Sequence, residues 1–129
     1  MNRAPWPVTT VKIASGDSMS TVVSTVYLPL RAIYFPIGID GSSIRFWGAA
    51  PIVDDPARLP EPSEFGPIAN IDGSIASCKI VPGYWMDLRY VLADWAFLRL
   101  EAVDASLTTP VEQGSDTTLT LVVGRDLVA

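Results

Sequence analysis

The stretch "ADWAFLRLEAV", residues 93–103, is spelled in letters that favour a helix, since Ala, Leu, Arg and Glu are all good helix formers. Its spacing argues for a strand. At about 100° per residue, a helix would bring Asp94 and Glu101 nearly into line and set Arg99 roughly opposite them. Charge would then occupy two sides and leave no clean apolar stripe. Two-residue alternation sorts the same letters into Ala96, Leu98, Leu100 and Ala102 on one face and Trp95, Phe97, Arg99 and Glu101 on the other. No Ser, Thr or Asn precedes the segment as a helix cap, although Asp94 could cap a late start. The spacing predicts a strand beginning near Trp95, after a short irregular or single-turn piece at 88–94.

The rest of the chain reads the same way. "VTTVKI" (8–13) puts Val11 and Ile13 on one face with Thr9, and the β-branched "STVVSTVYL" (20–28) lines up Val22, Val26 and Leu28. "RAIYFPIGI" (31–39) aligns Ile33, Phe35 and Ile37, with Pro36 pointing to an edge or a bulge. "SIRFW" (43–47) sets Ile44 and Phe46 against Arg45 and Trp47, and "SIASCKIV" (74–81) sets Ala76, Cys78 and Ile80 against Ser77 and Lys79. "TTLTLVV" (117–123) turns Leu119, Leu121 and Val123 inward and Thr118 and Thr120 outward. The tetrapeptide "IDGS" occurs at 39–42 and again at 71–74. Asp-Gly favours the positive φ of tight turns, so two hairpins are expected. Pro82 and Gly83 in "VPGYW" supply a further tight turn.

Two segments interrupt the pattern. Residues 48–70, "GAAPIVDDPARLPEPSEFGPIAN", hold five prolines and four acids (Asp54, Asp55, Glu61, Glu64) and read as a surface excursion ordered by its prolines. Residues 103–116 form a second loop before the last strand. Six to eight short strands with little or no helix make an all-β fold, a single antiparallel β-sandwich of jelly-roll or immunoglobulin-like type. Residues 1–7 form an N-terminal arm and residues 8–129 the one domain. At 129 residues it can close a core without disulfides or metals.

Composition removes whole classes of function. The net charge of −5, from 14 acids and 9 scattered bases, offers no positive stripe for nucleic acid. No apolar run approaches a membrane span, and "MNRAPWPVTTVK" lacks the apolar core of a signal peptide. The single cysteine, Cys78, cannot form an intrachain disulfide, which fits synthesis in a cytosol. Histidine is absent, and with it Ser-His-Asp and Cys-His catalysis and the imidazole ligands of most zinc and non-haem iron sites. No cofactor or metal is expected.

The remaining candidates are few. Asp54 and Asp55 could bind calcium, or a pair of carboxylates could serve a glycosidase. The segment lacks oxygen ligands at alternating positions, however, and adjacent acids in a Pro-rich loop ordinarily only solvate it. Cys78 falls on an apolar strand face and reads as a buried structural thiol. "SGDS" (15–18) has neither the glycine spacing nor the lysine of a phosphate loop. Of the tryptophans, Trp47 and Trp95 fall on the less aliphatic faces of their strands, and Trp6 lies in the Pro-flanked arm "APWP". These three are the candidate partner-binding residues, with core packing or a sandwich-end lid as the alternative for each.

Four pieces carry a resemblance. They are "VKIASGDSMSTVV", "LRAIYFPIGIDGSSIRFWGA", "IDGSIASCKIVPGYWMDL" and the closing unit "ADWAFLRLEAVDASLTTPVEQGSDTTLTLVV", which has a "W-x-x-L-R-L" strand, a "P-V-x-Q" element and a last strand "T-L-T-L-V". Together they resemble a family of small virion proteins of tailed bacteriophages, over most of residues 10–123. The closing unit is the most specific of the four. The departure is 48–70, which is longer and richer in proline than the family pattern.

The resemblance implies a non-enzymatic structural protein, a decoration, cementing or fibre-base component of the particle, with the leading expectation a capsid decoration or cementing protein bound outside the head. Its partners would be the major capsid protein and further copies of itself, with no nucleic acid and no membrane. Its place would be the virion, after synthesis in the bacterial host cytoplasm. The rival reading is a carbohydrate- or receptor-binding module of a tail or fibre. A carboxylate enzyme ranks third.

Overall fold

The computed structural model describes residues 8–24, 30–51, 55, 58–88 and 95–124. Among them lie nine strands: β1 (Val8–Ile13), β2 (Val23–Ser24), β3 (Leu30–Tyr34), β4 (Ser43–Ala49), β5 (Gly66–Pro67), β6 (Ser77–Lys79), β7 (Trp85–Asp87), β8 (Phe97–Val103) and β9 (Thr117–Val123). A 3-10 turn at Pro62–Glu64 is the one helical element among these residues. Two antiparallel sheets pack against each other. One runs β1-β9-β3-β7; the other runs β2-β8-β4-β5, with β6 also paired to β4.

β5 and β6 are two halves of one strand position. Ile68 N–H donates to Phe46 O (2.9 Å) and Phe46 N–H donates to Ala76 O (3.2 Å), so the chain leaves β4 and rejoins it at the same residue. Between those points it makes a hairpin, closed by an Ala69–Ile75 bridge and turned at Asn70–Gly73. With β5 and β6 counted as one position, each sheet has four. The orders β1-β9-β3-β7 and β2-β8-β4-β5/β6 are then those of a double Greek key, which selects the jelly roll over the immunoglobulin-like alternative.

The segment at 97–103 is a strand because of where it sits. β8 lies inside its sheet, with β4 along one side and β2 on the other. Residues 18–20 extend the β2 side: Ser20 N–H donates to Leu100 O and Ala102 N–H to Ser18 O. A ladder on both edges outweighs the helix propensity of its letters. Leu98, Leu100 and Ala102 face the main core with Ile44, Phe46, Ala76 and Cys78 from their own sheet, and Ile13, Ile33, Leu119 and Leu121 from the other. Alternation placed all of these correctly.

Four local expectations are corrected. Val23, not Val22, enters the main core, because β2 pairs Val23 with the inward-facing Leu98 and a one-residue slip exchanges faces. Ile37 is 85% exposed, since β3 ends at Tyr34, ahead of Pro36. β3 is an interior strand, and its bulge falls between Leu30 and Ala32. Of the two "IDGS" turns, only 71–74 closes a hairpin. The 39–42 copy crosses between sheets, because its Asp40 bonds to residues 113–114 across the sandwich end. The rest of the 20–28 expectation, Val26 and Leu28, and the 1–7 arm lie outside the described residues, as does most of 88–94.

Two side chains hold irregular parts together. Gln113, 2% exposed, accepts from Asp40 N–H (2.9 Å) and Thr117 Oγ1 (3.0 Å) and donates to Asp40 O (2.8 Å). Its own backbone bonds to Gly16 N–H and Asp17 O, so loops from three parts of the chain meet on it. Trp95 lies ahead of β8 and folds against the main core. A Cβ on Gly48 would stand 2.7 Å from Trp95 Cε3 and 2.9 Å from Ile68 Cδ1. Gly48→Ala is therefore expected to lower stability by about 1–3 kcal/mol through overpacking, seen as a lower urea midpoint at unchanged slope.

Candidate functional site

The outer faces of the two sheets differ in chemistry. On the five-stranded sheet, the β4–β8 register sets Arg45 opposite Glu101, Trp47 opposite Arg99 and Ala49 opposite Phe97. Glu101 is 5% exposed, and its Oε1 accepts from Arg45 Nε (3.0 Å), Arg45 Nη2 (2.9 Å) and Trp47 Nε1 (3.0 Å). The Arg45 guanidinium lies 5.1 Å from the Trp47 ring centre, and that of Arg99 lies 5.9 Å from the Phe65 ring centre. Phe65 arrives from the Pro-rich excursion and joins Ala49, Ala96 and Phe97 in a second small core, with Val22 and Trp47 against it. The excursion thus covers part of this face, and Arg58 braces it with ion pairs to Glu61 (3.7 Å) and Glu64 (3.4 Å).

Arg99 stands in the middle row of this face, opposite Trp47 and toward the β2 side. Its Nε donates to Ser20 O (2.8 Å), and partial burial lowers its pKa while Asp17 and Glu101 oppose that shift. Beside it opens a pocket of about 390 Å³ lined by Gly16–Met19, Arg99, Pro110 and Glu112. The charged groups of this face are engaged with one another and with its aromatic rings. Its buried carboxylate is committed to Arg45 and Trp47, and two guanidinium groups stack on aromatic rings.

The four-stranded sheet carries an almost uncharged face. Register places Thr10, Thr120, Tyr34 and Trp85 in one row across the strands, beside a row of Val8, Val122, Ala32 and Asp87. Tyr34 and Trp85 rings meet at 5.4 Å with a 56° tilt. Trp85 is 54% exposed, and Tyr84 and Ile37 beside it are more so. Lys12, at the opposite corner from Asp87, is paired with Asp116 (3.0 Å).

Of the candidate tryptophans, Trp47 lies half-buried on the outer face of the five-stranded sheet, while Trp95 packs against the main core; the fold keeps the two apart. Trp6 lies outside the described residues. Trp85, the exposed one among the described tryptophans, went unselected by sequence reasoning. The signal was its place just after the Pro82-Gly83 turn, where a three-residue strand follows. Asp55, Glu61 and Glu64 are exposed, Asp54 lies outside the described residues, and no group of three or more His, Cys, Asp or Glu among the described residues could hold a metal ion.

Cys78 is buried, and burial pushes its thiol up to about 12 from 9.0. The native thiol should therefore resist a maleimide at pH 8 and react once urea unfolds the chain. The unfolded thiol ionises near 9.0 while the folded one holds its proton, so this group's contribution is complete below pH 9 and declines toward pH 12.

Comparison of this chain with protein-family models, with curated proteins and with solved structures finds no match.

Proposed function

We propose that this chain is a non-enzymatic structural protein of a bacteriophage particle, a decoration or cementing component that binds the major capsid protein on the outside of the head. The observation that carries this reading is the strand order, β1-β9-β3-β7 over β2-β8-β4-β5/β6, an architecture that recurs in viral capsid and lectin domains. A fold of this kind hosts several functions, and the resemblance of the closing unit at 93–123 selects the virion among them. The outer face of the five-stranded sheet supplies a suitable contact. Arg and Trp are the residue types that anchor interfaces, and Arg45, Trp47 and Arg99 stand there on a rigid two-strand base. A ligand that binds only the assembled shell adds its binding energy to the assembled state alone. A net charge of −5 suits a position away from packaged DNA.

The test is co-sedimentation of the purified chain with heads made without it. Saturation at a copy number matching the shell's symmetry supports the reading, and an absence of binding to expanded heads sinks it. One observation favours the second reading, a glycan- or receptor-binding module of a tail: the exposed aromatic pair Tyr84 and Trp85 on a fold that lectins also use. Binding on a glycan array that Trp85→Ala abolishes would favour that reading over the first.

A further inference from the structure

The tetrapeptide "IDGS" at 39–42 and 71–74 holds the two Asp-Gly pairs of the sequence. An aspartate before glycine carries latent chemistry. The glycine amide nitrogen can attack the aspartate Cγ, and with no side chain on the glycine little obstructs the succinimide ring that forms. Identical letters give both pairs the same intrinsic reactivity, so a difference between them comes from the fold. Exposure does not separate them, because Asp40 and Asp72 both lie open to solvent. Anchorage does. Asp40 is held at three points by a distant part of the chain: Gln113 bonds its N–H (2.9 Å) and its carbonyl (2.8 Å), and Gly114 N–H donates to its Oδ2 (2.8 Å). Gly41 lies against the sheet, where an added Cβ would stand 3.3 Å from Ala102 Cβ and 3.5 Å from Val103 O, and Ser42 N–H donates to that same carbonyl (2.9 Å). The Asp40–Gly41 peptide cannot turn toward its own side chain unless the sandwich end opens. Among the described residues, Asp72 is tied only within its own turn. Its Oδ1 accepts from Ser74 N–H (2.9 Å) and Ser74 Oγ (2.5 Å), and Gly73 N–H donates to Asn70 O (2.9 Å). Nothing lies within 4 Å of a Cβ added to Gly73. These are exposed, local bonds, the kind that open at low cost.

We infer that Asp72 is a site of spontaneous isoaspartate formation and that Asp40, in the same tetrapeptide, is protected from it. Gly73 N bonds to Asp72 Cγ, the Cγ–OH bond breaks, and the hydroxyl leaves as water with the amide proton. Water then adds to the succinimide. Opening at Cγ restores aspartate. Opening at the α-carbonyl leaves the main chain running through Cβ and Cγ and frees the α-carboxylate. Solvent water is the only co-reactant, lost in the first step and returned in the second. The Ser74 bonds lower the Asp72 pKa and so brake the first step, which draws on the protonated acid, but they do not shield the turn. The product carries one more methylene in the main chain of the hairpin tip. Because that hairpin leaves β4 and rejoins it at Phe46, the change stays outside the sheet. The inference is independent of the proposed function.

The test ages the full chain at neutral pH and maps its peptides. Each Asp-Gly pair is scored by its resistance to a protease that cleaves before aspartate, and by enzymatic methyl transfer to the freed α-carboxylate. Isoaspartate should accumulate at residue 72 at least about tenfold faster than at residue 40, where one or two more hydrogen bonds must open first. In urea the two rates should converge. In the folded chain, Gln113→Ala should raise the rate at residue 40 toward that at residue 72, because it removes two of the three anchors. An absence of product at residue 72, or equal rates at the two sites of the folded wild type, overturns the inference. A difference that persists in urea overturns it as well, since its cause would then lie in the flanking residues and not in the fold.

Discussion

Glu101→Ala should destabilise the fold by about 3–4 kcal/mol, more than any other single change to the outer faces. The carboxylate accepts three hydrogen bonds from Arg45 and Trp47 in the middle of β8, and the Arg45 side chain is only 19% exposed. Its removal leaves a largely desolvated guanidinium without a counter-charge and an indole N–H without an acceptor. The comparison that isolates the cause is a replacement of both partners. Arg45→Met with Glu101→Leu removes the orphaned charge and should recover most of the loss, because a buried ion pair exchanged for apolar groups of similar size is often neutral. Urea titrations of wild type, Glu101→Ala and the double variant measure both effects. A loss below about 1 kcal/mol for Glu101→Ala would mean that water reaches Arg45 and replaces the carboxylate.

Gln113→Ala should cost about 2–4 kcal/mol, from three lost hydrogen bonds and a cavity beneath the loop end. The side chain amide bonds both backbone groups of Asp40 and the hydroxyl of Thr117, so alanine would loosen the 39–41 and 113–117 loops together. Gln113→Glu is the sharper variant. It keeps the size but turns an oxygen toward Asp40 O, where Gln113 Nε2 now donates. That carboxyl would be favoured in its protonated form, with a folded pKa raised above the unfolded one. The variant should therefore approach wild-type stability at pH below the unfolded carboxyl value of about 4 and lose it as pH rises through the folded value. Hydrogen exchange of the Gly16 and Asp40 amides would report the same loosening locally.

These two residues also mark how far the sequence could be read. The sandwich was legible because its inward positions alternate strictly. Ile44 and Phe46, Ala76 and Cys78, and Leu119 and Leu121 are apolar every second residue, and that pattern survives any choice of strand partner. The alternation at 95–101 overruled helix propensity for the same reason. What failed depended on partners distant in sequence. Val22 and Val23 are chemically identical, and only pairing with Leu98 decides which of them turns inward. The two "IDGS" copies are the same four letters, and Gln113, more than 70 residues away, turns the first into a crossover.

The candidate site was less legible than the fold. Trp47 was selected for lying on the less aliphatic side of its strand, and it does lie on an outer face, held by Glu101. Trp95 had the same credentials. Its strand starts two residues later than alternation suggested, so its ring falls onto Gly48 and into the core's margin. Trp85 offered no alternating run to read, because β7 is three residues long. Strand ends and short strands are where side-chain direction escapes the sequence pattern.

The hairpin at 69–75 departs from the β4 edge and returns to it at Phe46, so the sheet registers only its two anchor points. Its length is independent of the core. Ile71 at its tip is fully exposed, and Asp72 is held there by Ser74 alone among the described side chains that bond it. A foreign peptide grafted between Asn70 and Gly73 would add loop-closure entropy that grows only slowly with its length and would disturb no ladder bond. The fold thus contains a built-in display position, one at which sequence can be exchanged as freely as cargo while the eight-position jelly roll beneath it stays the same.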